Sequence, residues 1–212
     1  MIVIGIVGPP AGGKSTVART IAGQGAAWIN ADRLAHASLR LAEVKAKLRD
    51  WFGEAIFSST GAVDRQRLAQ RVFGDDASSR QSLEYIESVV HPLVGQMASR
   101  KLARLNRQPT SVVVLDAPLL IEACWHLQCD EIWYIDSQWE QRVQRVAQRS
   151  WTAEQLRQRE LNQLSLYEKQ RHATRIIDNS QGPNHTRRLV LDAWQELIDR
   201  SHAGDGACQN GD

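Results

Sequence analysis

Cysteine is scarce in this chain: Cys124, Cys129 and Cys208 are its only three. An odd count in 212 residues argues against a disulfide-stapled fold, because a chain of that length buries its own core. Cys124 and Cys129 are not spaced as zinc ligands are, and no Cys/His cluster stands near them. All three are expected as reduced thiols. Also absent is any run approaching the roughly 20 apolar residues that cross a bilayer. The first residues read as a strand and not as a signal peptide. A cytoplasmic protein with no membrane partner is therefore expected. An excess of charge of one sign is missing too, with 26 Lys and Arg against 24 Asp and Glu. That balance gives no general footprint for nucleic acid, and no nucleic-acid partner is expected. Tryptophan is plentiful by contrast: seven residues, scattered without a repeat and read mostly as packing.

Apolar β-branched runs alternate with helical patterns, which points to an α/β fold with a parallel sheet. Strands are expected at residues 2–7, 27–30, 111–116, 131–136 and 175–179. Helices are expected at 14–22, 33–52, 64–73, 78–106, 138–166 and 183–200. Residues 32–107 carry little strand signal and read as a helical insertion. The small, polar stretch 201–212 is expected to be disordered.

The first strand runs into Gly8-Pro9-Pro10-Ala11-Gly12-Gly13-Lys14-Ser15-Thr16, the spacing G-x-x-x-x-G-K-[ST] of a phosphate-binding loop. Backbone amides of such a loop converge on a polyphosphate, and the helix that follows aims its positive end at the same place. Lys14 would reach the β- and γ-phosphates, and the Ser15 hydroxyl would ligate Mg²⁺. A nucleoside triphosphate is the expected ligand. A guanine-nucleotide switch would want an Asn-Lys-x-Asp motif, which the chain lacks.

Ligands of open α/β sheets gather at the carboxyl ends of strands, which draws attention to two acids. Asp32 follows the second strand. It is a general base for an attacking hydroxyl, a water-mediated Mg²⁺ ligand, or the N-cap of the next helix. Asp116 either supports Mg²⁺ as a Walker-B acid or caps a following helix. Arg142, Arg145 and Arg149 share one helical face. They either converge on a transferring phosphoryl group or form a solvated, salt-bridged surface. His36 stands one helical turn beyond Asp32. His91-Pro92 interrupts a helical pattern among apolar neighbours, where a histidine is more often a core residue than a catalyst.

In their order along the chain, these pieces resemble the dephospho-coenzyme A kinase family from residue 1 to about 179. The series is the phosphate loop with Val17-Ala18, Asn30-Ala31-Asp32 with Ala35-His36, Gly61 with Asp64-Arg65 and Leu68, and Phe73. It continues through His91-Pro92-Leu93-Val94, Asp116-Ala117-Pro118-Leu119-Leu120-Ile121-Glu122, Arg145 and Arg149, Gln163, and Ile177-Asp178-Asn179.

The resemblance implies a P-loop kinase core with a five-stranded parallel sheet, a helical acceptor-binding insertion and a helical lid. The implied partition assigns 1–31, 108–144 and 167–200 to the core, 32–107 to the acceptor domain and 145–166 to the lid. It implies transfer of the ATP γ-phosphoryl to the ribose 3′-hydroxyl of dephospho-coenzyme A, with ATP and Mg²⁺ as cofactors. Another P-loop small-molecule or nucleoside monophosphate kinase is the alternative. By the same resemblance Asp32 is the general base, and Lys14, Arg145 and Arg149 act on the phosphates. ATP would meet Ala11, Gly12, Gly13, Lys14, Ser15, Thr16 and Asn179. The acceptor would meet Asp32, His36, Arg65, His91, Pro118 and Leu119, with Ser15 and Asp116 left for the metal. Four departures from the family pattern stand out: Asn30 for an Asp, Pro9-Pro10 in a loop usually rich in glycine, Thr174 for an Asp, and Ser180.

Overall fold

The computed structural model describes residues 1–72, 74, 76–108, 111–148 and 151–207. Its strands are β1 (Ile2–Val7), β2 (Ala27–Asn30), β3 (Val112–Asp116), β4 (Glu131–Asp136) and β5 (Arg175–Asp178). They form one sheet in the order β2-β3-β1-β4-β5, with β1 parallel to β3 and β4, and β4 parallel to β5. The helices are α1 (Lys14–Ala22), α2 (Ala31–Ser38), α3 (Ala42–Phe52), α4 (Arg65–Val72), α5 (Ala77–Leu105), α6 (Trp139–Ala147), α7 (Ala153–Leu161), α8 (Leu166–Arg171) and α9 (Pro183–Ala207). Packing divides the chain into a sheet unit, residues 1–29 with the chain from 105 onward, and a helical unit, 30–104.

The sheet unit explains why its strands read as unbroken apolar runs. Strands β1 and β3 are buried along almost their whole length, as parallel strands covered on both faces must be. Ile4, Ile6, Val112, Val114, Trp133, Ile135 and Ile177 of the sheet share one core with Val17, Ala18 and Ile21 of α1 and Val190, Ala193 and Leu197 of α9. Trp133 is fully buried, and its indole N–H donates to Glu131 Oε2 at 2.6 Å. The other oxygen of Glu131 accepts from Arg200 of α9 at 2.5 Å, so a buried carboxylate is satisfied while it ties α9 to β4.

The helical unit has its own core. Val44 and Leu48 of α3, Leu68 and Val72 of α4 and Val89 of α5 meet Ile56 and Phe57. Trp51 stacks on Tyr85 with ring centroids 4.1 Å apart, and the Tyr85 hydroxyl donates to the Lys47 carbonyl at 3.0 Å.

Two expected helices and one expected interruption are corrected. The helix over 33–52 is two, because the buried Ser38 hydroxyl turns back on the Ala35 carbonyl at 2.8 Å and competes with the ladder there. The stretch 138–166 holds α6 and α7 and the approach to α8. Thr152 and Gln155 form a reciprocal capping box, and Ser165 accepts from the Glu168 N–H at 3.1 Å, so each restarts a helix. Conversely, His91-Pro92 does not interrupt α5, which runs for 29 residues through Pro92. Both residues are exposed, so water can take the carbonyl that the missing proline N–H leaves behind.

Helix α9 also continues to Ala207, making 201–207 helical where disorder was expected. Extending an existing helix avoids the cost of nucleation. No described helix is long and apolar enough to cross a membrane.

Candidate functional site

Strand β1 is central in the sheet, and the chain leaves its carboxyl end as the loop 8–13. Pro9 and Pro10 fix two φ angles by their rings. Ala11 stands in the left-handed region at φ 59, which costs a non-glycine residue about 1–2 kcal/mol. The Gly12 N–H closes the turn by donating to the Pro9 carbonyl at 3.0 Å. Gly13, at φ 96, is the N-cap of α1, and the Thr16 N–H returns to its carbonyl at 2.9 Å. Gly13, Lys14 and Ser15 therefore supply the amides at the head of the helix, where an anion is favoured. Lys14 is buried, and its ammonium donates to the carbonyls of Gly8 at 3.0 Å and Pro9 at 2.8 Å.

Two side chains from later in the chain clasp this loop. Asn179, buried just past β5, donates through Nδ2 to the Gly12 carbonyl at 2.7 Å, and its Oδ1 accepts from Thr186 at 2.7 Å. Arg145 of α6 donates to Ser137 Oγ at 2.8 Å, to the Asn179 carbonyl at 3.1 Å and to the Ala11 carbonyl at 3.3 Å. The structure thus gathers Ala11, Gly12, Lys14, Arg145 and Asn179 from distant parts of the sequence. The clasp leaves no room at Gly13, where an added Cβ would lie 2.3 Å from Asn179 Nδ2. Gly13→Ala is expected to lower unfolding free energy by about 1–3 kcal/mol, from a strained φ and a displaced Asn179. Urea unfolding of the variant measures the loss, and an unchanged midpoint would contradict the clasp.

Asp116 ends β3, is 3% exposed and pairs in register with Ile6 of β1. No helix follows it; the chain passes through turns to the short 3-10 segment Trp125–Gln128, so the helix-cap reading of Asp116 is set aside. Asp116 and Ser15 are hard oxygen donors of the kind Mg²⁺ takes. Among the described residues no cluster of three or more His, Cys, Asp or Glu could hold a metal alone.

Nearby in the same unit, Lys169 is 1% exposed. It donates to Gln163 Oε1 at 2.7 Å and the Pro118 carbonyl at 3.2 Å, and pairs with Glu122 Oε1 at 3.2 Å. Glu122 also accepts the Leu164 N–H at 2.8 Å. Burial pushes Lys169 below the usual lysine range, and the Glu122 carboxylate opposes that shift. Pro118, Glu122 and Gln163 thus meet around one ammonium, with Leu119 half-buried beside Pro118.

Arg142 turns away from the loop. It is buried against Glu160 of α7 in an ion pair and lies 5.0 Å from the Trp139 ring centroid, with Arg157 5.5 Å from the same ring. Trp151 receives Arg159 at 3.9 Å. These contacts hold α6 and α7 as a hairpin that starts at Trp139. Arg149 lies outside the described residues, as do Phe73 and Cys208.

In the helical unit, Asp32 is an exposed residue in the first turn of α2. The N-cap is Asn30, whose side-chain oxygen accepts the Arg33 N–H at 2.8 Å. The capping role left open for Asp32 therefore belongs to the residue that departs from the family pattern. His36 Nδ1 lies 3.1 Å from Arg65 Nη1. A guanidinium only donates, so Nδ1 accepts and the ring proton sits on Nε2. Desolvation, then the Arg65 charge, hold His36 below its usual 6.5, while Asp32 pulls it back up. NMR titration is expected to place the His36 midpoint below that value, and Arg65→Met to raise it by removing one of the two depressing causes. A midpoint that Arg65→Met leaves in place would separate the pair. His91 is exposed on α5 and is not a core histidine.

Residues 2–184 match the family model for dephospho-CoA kinase. The chain belongs to the dephospho-CoA kinase family. It is 37% identical over 188 residues to the dephospho-CoA kinase of Rhodopirellula baltica, covering 89% of this chain and 87% of the relative. The enzyme of that name from Symbiobacterium thermophilum is 36% identical over 198 residues, 92% of this chain and 81% of its own. Among solved structures, the dephospho-CoA kinase of Campylobacter jejuni shares the fold with a TM-score of 0.69 at 21% identity, over 94% of this chain and 98% of that one. Dephospho-CoA kinases are ATP-dependent transferases, and the phosphate loop described above is the part of this member that such a reaction requires.

Proposed function

We propose that this chain transfers the γ-phosphoryl group of ATP to the ribose 3′-hydroxyl of dephospho-CoA, giving CoA and ADP. The observation that carries the reading is the family match over residues 2–184, which includes a complete phosphate loop at the head of α1. The amides of Gly13, Lys14 and Ser15 bind phosphate oxygens, and the Lys14 ammonium moves from the loop carbonyls to the β- and γ-phosphates. Arg145 carries a second positive charge beside the loop. Asp32 accepts the proton of the attacking hydroxyl, with neutral His36 and Arg65 orienting the acceptor. Pro118, Leu119 and His91 complete the acceptor contacts, and residues 145–166 serve as the lid.

Ser15 and Asp116 would hold Mg²⁺, which needs few protein ligands when substrate phosphates supply the rest. When bound, that ion neutralises charge on the transferring group. The cytoplasm, where ATP is abundant and thiols stay reduced, suits both the substrate and the half-buried Cys129, whose thiol desolvation pushes up to about 12.

Turnover of ATP with dephospho-CoA, adenylate, shikimate and gluconate, run in parallel on the purified protein, tests the assignment. Phosphorylation of dephospho-CoA alone is expected, and preference for another acceptor would overturn it.

A further inference from the structure

We infer that Thr186 is a positioning residue for the phosphate loop, acting through the amide of Asn179. The inference rests on the reading that the loop at 8–16 binds the triphosphate. The Gly12 carbonyl can only accept, so the side-chain atom of Asn179 that faces it at 2.7 Å must be the NH₂ group. That orientation turns Oδ1 toward Thr186, whose hydroxyl stands 2.7 Å away. Both residues are buried, at 7% and 4% exposure, so water does not offer a substitute donor.

The Thr186 hydroxyl also lies near the carbonyls of Gly182 at 3.2 Å and Asp178 at 3.3 Å. It has one proton, and the shortest contact is the one to Asn179. Reversing the Asn179 amide would set oxygen against oxygen at Gly12, so the Gly12 carbonyl fixes the orientation in which Oδ1 accepts from Thr186.

The consequence reaches the nucleotide through covalent geometry. The peptide joining Gly12 to Gly13 is trans and planar, so its C=O and N–H point in opposite directions. Holding the Gly12 carbonyl on Asn179 therefore aims the Gly13 N–H to the other side, where the head of α1 gathers its phosphate donors. Thr186 stands in the first turn of α9, seven residues past Asn179, and its hydroxyl contacts go to Asp178, Asn179 and Gly182. Its part is to keep one amide of the cradle aimed before ATP arrives, which lowers the ordering cost of binding.

The test compares Thr186→Val, which keeps the volume and deletes the hydroxyl, with Thr186→Ser, which keeps the hydroxyl. ATP affinity is read directly by titration calorimetry on the full chain, so the result stands apart from the identity of the acceptor. Thr186→Val is expected to weaken ATP by about ten-fold, and Thr186→Ser to stay within about two-fold of the parent. In steady-state assays the loss should fall on KM for ATP and leave KM for dephospho-CoA unchanged. Unchanged ATP affinity in Thr186→Val, or an equal loss in Thr186→Ser, would overturn the inference.

Should Thr186→Val fail to fold, Asn179→Asp gives the second reading. It keeps the shape and the bond to Thr186 but sets a carboxylate oxygen against the Gly12 carbonyl. ATP binding at least ten-fold weaker is expected, on the order of one unsatisfied buried contact. Parent-like binding by that variant would equally overturn the proposal.

Discussion

Asp32→Asn is expected to lower kcat by about 10²- to 10⁴-fold, the range over which a positioned proton acceptor contributes. KM for ATP should stay within about two-fold, because the change removes an interaction made only as the hydroxyl is deprotonated. The structure separates this effect from a loss of fold. The N-cap of α2 is Asn30, whose bond to the Arg33 N–H does not involve Asp32. As a negative charge in the first turn of the helix, Asp32 contributes about 0.3–1 kcal/mol. A kcat loss of that size corresponds to about 3–5 kcal/mol of transition-state stabilisation, several times larger. Thermal unfolding should thus barely move while turnover collapses. His36 offers no substitute base with the same geometry, since its Nδ1 is committed to Arg65. An Asp32→Asn enzyme that turns over like its parent would remove the general-base role.

Much of this was legible in the sequence, and the reason differs between residues. The phosphate loop was, because its chemistry requires glycines, lysine and a hydroxyl at fixed spacing directly after a buried strand. The central strands were, because burial on both faces leaves an almost unbroken apolar run, as in Val112–Asp116. Helix continuity was not. Pro92 sits inside α5, where its context outweighs a general penalty. The break near residue 40 comes where the Ser38 hydroxyl bonds the Ala35 carbonyl, a contact that no periodicity reports.

The breaks at 152 and 165 were readable, since Thr152 with Gln155 and Ser165 with Glu168 follow the S/T-x-x-E/Q pattern. Thr186, Ser137 and Lys169 had no such signal. Each matters through a partner more than five residues away in sequence: Asn179, Arg145 and Glu122 respectively. A similar blindness applied to Arg142 and Arg145, identical in type and sharing a face. One pairs with Glu160 and the other clasps the loop.

Lys14→Met should reduce kcat/KM for ATP by about 10²- to 10³-fold, the usual loss when one preorganised positive donor is removed from a phosphoryl-transfer site. Two roles for this side chain compete. Its ammonium holds the Gly8 and Pro9 carbonyls at 3.0 and 2.8 Å, so it also staples the loop it serves. The staple alone contributes roughly 1–3 kcal/mol, since methionine leaves those acceptors without the donor. Loss of the staple would appear as a lower unfolding midpoint without ATP, and as weaker ATP binding. Loss of the clamp on the transferring group would appear in kcat, because charge on the phosphoryl oxygens grows on the way to the transition state.

The expected pattern is a modest fall in the midpoint with most of the activity loss in kcat. Lys14→Arg sharpens the distinction. A guanidinium keeps the charge but is larger and planar, and a buried pocket shaped for a compact ammonium does not take it. It should therefore stay close to Lys14→Met in turnover. An arginine variant with parental kcat would show that charge near the loop suffices, and a methionine variant that lost only stability would leave Lys14 as a staple.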